Sequence, residues 1–86
     1  MGDWHKAGDV THYFGKIDVV VVELVDELAV GDWIGFVHHD ELIFEQEVTS
    51  MQIEHQTVEA AMPGDDIALK VERKVREGCE IYRYID

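Results

Sequence analysis

Lys16-Ile17-Asp18-Val19-Val20-Val21-Val22-Glu23-Leu24 is the stretch on which the fold turns. Two readings compete for it. Ile17, Val20, Val21, Leu24 and Leu28 stand at helical spacing, the pattern of an amphipathic helix. Four consecutive valines, however, crowd the preceding turn of a helix and fit a pleated surface. A strand over 16–24 is therefore predicted. Valine on both parities implies cover on both faces, or passage from the surface into a closed barrel. The whole chain leans the same way, with 12 valines and 7 isoleucines against 4 leucines in 86 residues, a bias towards strands.

Outward from this segment, turn chemistry and alternation mark further strands. Val30-Gly31-Asp32 reads as a turn, 33–38 as a strand, and His39-Asp40-Glu41 as a hairpin tip. A long strand over 42–53 changes parity: Phe44 and Val48 share one face, Met51 and Ile53 the other. An inserted residue near Thr49-Ser50 would reconcile them as a bulge. Residues 54–57 read as a polar connection, and 58–62 are ambiguous. Pro63-Gly64-Asp65 is a turn, after which Ile67, Leu69 and Val71 alternate cleanly with polar or small residues. Arg76-Glu77-Gly78 turns again, and 80–85 forms the last strand, with Tyr82 and Tyr84 on one parity and Ile81 and Ile85 on the other. About six strands at roughly ten-residue spacing predict an all-β fold, a small closed six-stranded antiparallel β-barrel. Closure favours the barrel because it removes exposed edges. Residues 1–9, with two glycines and no apolar period, read as a flexible N-terminal leader, and 10–86 as one barrel domain.

Charge restricts the partners. Nineteen acids against seven bases give −12 at pH 7, a surface that repels a phosphate backbone. The bases cluster at Lys70, Arg73, Lys74 and Arg76, a candidate basic patch interrupted by Glu72 and Glu77. The acid excess fits solubility, a salty cytoplasm or a basic partner. No apolar run approaches the ~20 residues of a membrane-spanning helix, and the start of the chain lacks the pattern of a secretion signal. A single cysteine, Cys79, leaves no internal disulfide and fits a reducing, cytoplasmic setting.

The side chains that carry chemistry are present but not arranged by any recognised spacing. His38-His39-Asp40-Glu41 offers four ligand types in four residues, yet neighbours on a strand point to opposite faces. There is no His-x-His, no His-Glu-x-x-His and no cysteine pair, so no metal site and no cofactor are expected. Cys79 has no adjacent base to activate it, and Ser50 has no Gly-x-Ser-x-Gly context. Asp65-Asp66 and Asp40-Glu41 are paired acids at turns, where solvation accounts for them. A glycosidase would need two acids facing each other across a cleft, for which so small a barrel leaves little room. No catalytic residue is expected. The aromatics carry more: Trp33, Phe36, Phe44, Tyr82 and Tyr84 must share a small core or spill onto the surface. Tyr82 and Tyr84 facing outward among acids would make a patch suited to a protein partner.

Three segments then fall in order: Leu28-Ala29-Val30-Gly31-Asp32; Ser50-Met51-Gln52-Ile53 leading to Pro63-Gly64-Asp65-Asp66-Ile67-Ala68-Leu69-Lys70-Val71; and Val75-Arg76-Glu77-Gly78. Together they resemble the second domain of translational GTPases such as elongation factor Tu. Thr11-His12-Tyr13-Phe14, Ser50 to His55 and Lys70 to Gly78 further resemble a family of stand-alone translation elongation factor-like proteins. Similar barrels close some collagenase-like peptidases at their C-terminus. The resemblance covers about residues 10–86. It implies a barrel of the translation-factor domain II type without GTPase activity, since no Gly-rich phosphate loop with Lys and Ser/Thr is present. It also implies a shared surface including His12, Tyr13, Gln52 and His55. Gln52 stands where the elongation factor has a glutamate that contacts the terminal adenosine of tRNA, and Cys79 stands where the stand-alone relatives carry Asp. The expectation is a non-catalytic module working through protein–protein contacts at His12, Tyr13, Gln52, His55, Tyr82 and Tyr84. The alternatives are a barrel that binds RNA or the aminoacyl-tRNA end, which the net charge opposes, and an accessory domain or subunit of a collagenase-like peptidase.

Overall fold

The computed structural model describes residues 2–86. Ten strands follow one another: β1 (Asp3–Phe14), β2 (Val19–Leu24), β3 (Leu28–Ala29), β4 (Trp33–His38), β5 (Glu41–Glu47), β6 (Met51–Ile53), β7 (Gln56–Val58), β8 (Ala60–Ala61), β9 (Asp66–Lys70) and β10 (Glu80–Ile85). Eight form one sheet in the order β5-β4-β10-β1-β2-β9-β6-β7, and β3 pairs with β8. Every ladder is antiparallel. No helix among the described residues is long and apolar enough to cross a membrane.

The valine run is a strand, as its β-branching dictates. Val20, Val22 and Leu24 are buried, while Val19 and Val21 lie half-buried on the outer face. Helical spacing fails because Ile17 sits in the turn before β2 and is 58% exposed. In β9, Ile67 and Leu69 point inward between exposed Asp66 and Lys70. Inside, Phe36 and Phe44 stack at 4.5 Å with their planes 9° apart. Around them Ile34, Val48, Met51, Ile67, Leu69 and Ile81 are fully buried.

Three expectations are corrected. Residues 3–9 are not a leader: they are the first half of β1 and pair with β10 from Asp3↔Ile85 to Asp9↔Glu80. Backbone pairing holds this stretch, so it needs no apolar period of its own. Gly8 is required there, because a Cβ would lie 2.6 Å from the Glu23 carbonyl oxygen and 2.7 Å from Val22 Cγ1. The long strand over 42–53 breaks instead of bulging: β5 ends at Glu47 and β6 begins at Met51. Val48 leaves the ladder to donate its N–H to Asp32 O at 2.8 Å and accept from Gly31 N at 2.9 Å. Residues 54–57 are a two-residue hairpin turn plus the start of β7, with Glu54 and His55 both at positive φ.

The all-β, antiparallel expectation holds, but in ten strands where six were expected, because short segments such as β3, β6, β7 and β8 carry ladders of two or three residues. Among the described residues no backbone ladder joins β5 to β6, β7 or β9. A side chain crosses there instead. Gln46, 2% exposed, donates from Nε2 to Lys70 O at 2.9 Å and accepts at Oε1 from Glu72 N–H at 2.9 Å. Across this gap its amide gives one donor and one acceptor, as a strand residue would, and Nε2 also donates to Glu47 O at 3.3 Å.

Candidate functional site

The strands divide the outer surface into three regions. The first lies over β1, β10, β4 and β5. The ladders set Trp4 beside Tyr84, and Tyr82 between Lys6 and Gly35. Trp4 packs edge-on against Tyr84 with ring centroids 5.2 Å apart. It also lies over Gly35, whose missing Cβ would come within 3.2 Å of the indole and 2.9 Å of Leu42 Cδ1. Trp4, Leu42 and Tyr84 are exposed and Tyr82 is half-buried. Acids border the patch: Trp33 Nε1 donates to Glu45, and Lys6 pairs with Glu80 at 2.9 Å and Asp9 at 3.0 Å. Hydrogen bonds to Glu80, then to Asp9, hold the Lys6 ammonium above the usual lysine range.

The second region is a row of cross-strand neighbours on β1, β2, β9 and β6: His12↔Val21, Val21↔Ala68, Ala68↔Gln52. His55, at the β6–β7 turn, lines the same groove as Gln52, Phe14 and Lys70. The His12 ring lies 4.5 Å from Phe14, and its Nδ1 is 3.3 Å from Glu77 Oε2.

The third region is a cleft of about 420 Å³ between the β4–β5 hairpin and the irregular segment 71–79. Phe44, Val75 and Cys79 give it an apolar base, with Lys74 and Arg76 beside them and His38, His39 and Glu41 along the hairpin. The Arg73 guanidinium sits 5.9 Å above the Phe44 ring. The His38 and His39 rings are 4.0 Å apart, and His38 Nδ1 is buried without a hydrogen-bond partner. Among the described residues, no three His, Cys, Asp or Glu side chains are grouped to hold a metal ion.

The expected interaction surface is thus divided. His12, Gln52 and His55 share one face, while Tyr82 and Tyr84 lie on another. Tyr13 takes the inward parity and packs against the core. The basic patch divides too: Lys74 and Arg76 line the cleft with Arg73 over its Phe44 wall, whereas Lys70 lines the groove of the second region and donates to Ile17 O at 3.4 Å. Trp4 was missed because it fell in the presumed leader. Gln46 shares the inward parity of Phe44 and Val48, a signal that was legible. Arg83 was also missed; it reaches Asp26, Glu27 and Asp32 at 3.5–3.8 Å, ties the chain end to the β2–β4 connection, and leaves its Nε buried without a partner.

Comparison with known proteins points in one direction. No family model matches the chain. An uncharacterized protease of Methanocaldococcus jannaschii is 36% identical over 77 residues, covering 90% of this chain and 19% of that protein. The chain therefore spans about a fifth of the curated relative it matches. Two crystal structures of the C-terminal domain of a candidate U32 peptidase from Geobacillus thermoleovorans superpose with TM-scores of 0.82 and 0.83 at 22% identity. They cover 90% and 92% of this chain, and the chain covers 96% and 91% of theirs. That likeness establishes the fold. These matches overturn the resemblance to translation factors and the domain II assignment drawn from it. The physical reason is in the turns. Ala29-Val30-Gly31-Asp32 and Met62-Pro63-Gly64-Asp65 each close with an N–H to carbonyl bond of 3.1 Å, from Asp32 to Ala29 and from Asp65 to Met62. Gly31 and Gly64 are at φ 98° and 93°, as the third position of a type II turn requires. In both, the Asp carboxylate accepts the N–H of the first turn residue at 2.9 Å. The Gly-Asp signature thus reports turn mechanics, which any small antiparallel fold can use. Arg76-Glu77-Gly78-Cys79 repeats the turn with Gly78 at φ 90°, but Cys79 turns its side chain into the core at 3% exposure.

Proposed function

We propose that this chain is a non-catalytic accessory domain of the kind found at the C-terminus of U32-type peptidases, and that it acts by docking onto a catalytic polypeptide. The observation that carries this reading is the 77-residue match to a segment of a protease five times longer. The fold shared with an isolated peptidase C-terminal domain supports it. The docking surface in this reading is the patch of Trp4, Tyr82, Tyr84 and Leu42. Aromatic side chains over a glycine, bordered by acids, have the composition of an interface core with a polar rim. Its occupant is the catalytic region of such a peptidase. We further infer that the curled sheet acts as a closed barrel, with the Gln46 amide replacing the missing ladder between β5 and β9. RNA is the weaker partner because the −12 charge opposes phosphate.

Two assays on the purified chain test this. A quenched fluorescent peptide library should show no turnover above buffer, and filter retention of total tRNA should be absent even at low salt, where phosphate contacts are strongest. Turnover that survives repurification, or salt-sensitive RNA retention, would overturn the reading.

A further inference from the structure

The chain carries nineteen acids and seven bases, so most bases have a carboxylate to choose from. Among the described residues, Lys6 and Arg83 make two and three ion pairs within 4 Å, whereas Lys16, Lys70, Arg73, Lys74 and Arg76 make none. Three of these five are gathered in one place: Lys74 and Arg76 line the cleft between the β4–β5 hairpin and segment 71–79, and Arg73 sits over its Phe44 wall, while Lys70 lines the groove beside Gln52. Glu77, next to Arg76 in sequence, faces His12 instead. Glu41 is the one carboxylate among the residues that line the cleft.

We propose that this cleft binds the terminal carboxylate of a peptide whose last residue carries an aromatic or large apolar side chain. Lys74 and Arg76 supply the charge for the carboxylate, and an Arg–carboxylate pair can be bidentate. Phe44, Val75 and Cys79 receive the side chain, with Arg73 fixing the Phe44 ring as one wall. The volume of about 420 Å³ suits one or two residues and lies in the range of small-ligand sites. The choice of a peptide end rests on the peptidase reading above; the carboxylate-plus-apolar chemistry rests on the cleft alone.

The test is a titration of the 15N-labelled chain with N-acetyl-Ala-Ala-Phe, its C-terminal amide, and N-acetyl-phenylalanine. The acid should shift amide signals of segment 71–79 and of the β4–β5 hairpin. The amide should bind at least ten-fold more weakly, and K74A/R76A, both at exposed positions, should lose the difference while keeping the wild-type spectrum elsewhere. Equal binding of acid and amide, no shifts at millimolar peptide, or shifts confined to the Trp4–Tyr84 face would overturn the cleft. N-acetyl-phenylalanine binding as tightly as the tripeptide would overturn the peptide source. Docking of a catalytic polypeptide through the aromatic patch is read by a separate capture experiment, so the two readings fail independently.

Discussion

At the residue scale, two side-chain and backbone details do work that composition hides. Gly64 lies at φ 93° with nothing within 4 Å of where its Cβ would be. Any cost of adding a methyl there is therefore backbone strain and not a clash. Gly64→Ala should destabilise the chain by about 1–2 kcal/mol, the cost of holding an L-residue in the left-handed region. Urea unfolding measures it, and an unchanged midpoint would contradict the assignment of the turn. Gln46 offers a stronger test. Truncation to Ala leaves the part-buried Lys70 O and Glu72 N–H without these partners, at up to about 1–3 kcal/mol each where water does not replace them. Gln46→Ala should lower stability by more than Gly64→Ala, and amide exchange at Glu72 should accelerate. A loss no larger than that of an exposed neighbour such as Glu47→Ala would mean the amide does not bridge the sheet.

At the element scale, the two-residue hairpins at His39-Asp40 and Glu54-His55 put non-glycine residues at positive φ throughout. Both match the mirror-image turn that suits a twisted hairpin, where Asn-Gly is preferred. Replacing Glu54-His55 by Asn-Gly should raise the melting temperature by several degrees, since about 1 kcal/mol moves a domain of this size by roughly 4–8 °C. Calorimetry reads the shift, and a fall would show that these side chains hold the groove beside Gln52. Legibility followed the same physics. β4 is legible from its bounding turns, and β9 from clean alternation after the Pro63-Gly64-Asp65 turn. The β6–β7 hairpin was hidden because its turn uses Glu and His in place of Gly or Asn. The start of β1 was hidden because its order comes from pairing with β10, sixty and more residues away, which no local pattern announces. The patch around Tyr82 and Tyr84 was half legible, through parity alone; Trp4 and Gly35 join it only through sheet order. The cleft bases were visible as a cluster, but their lack of carboxylate partners is a fact of three dimensions.

At the scale of the whole molecule, one curled antiparallel sheet presents an aromatic face on one side and a basic cleft at the edge of the β4–β5 hairpin. Both stand out against a strongly acidic surface. Such a body has a packed interior and an outer skin for recognition, which suits an accessory domain that positions a partner. On the reading proposed above, that partner is a peptidase catalytic polypeptide held through the aromatic face. The most direct measurement is affinity capture of the tagged chain from its own host, wild type beside Trp4→Ala/Tyr84→Ala, with bound polypeptides identified by mass spectrometry. Wild type should retain a U32-type catalytic polypeptide, and the variant at least ten-fold less of it. Ribosomal or tRNA-associated partners in its place, or equal peptidase capture by both forms, would contradict it.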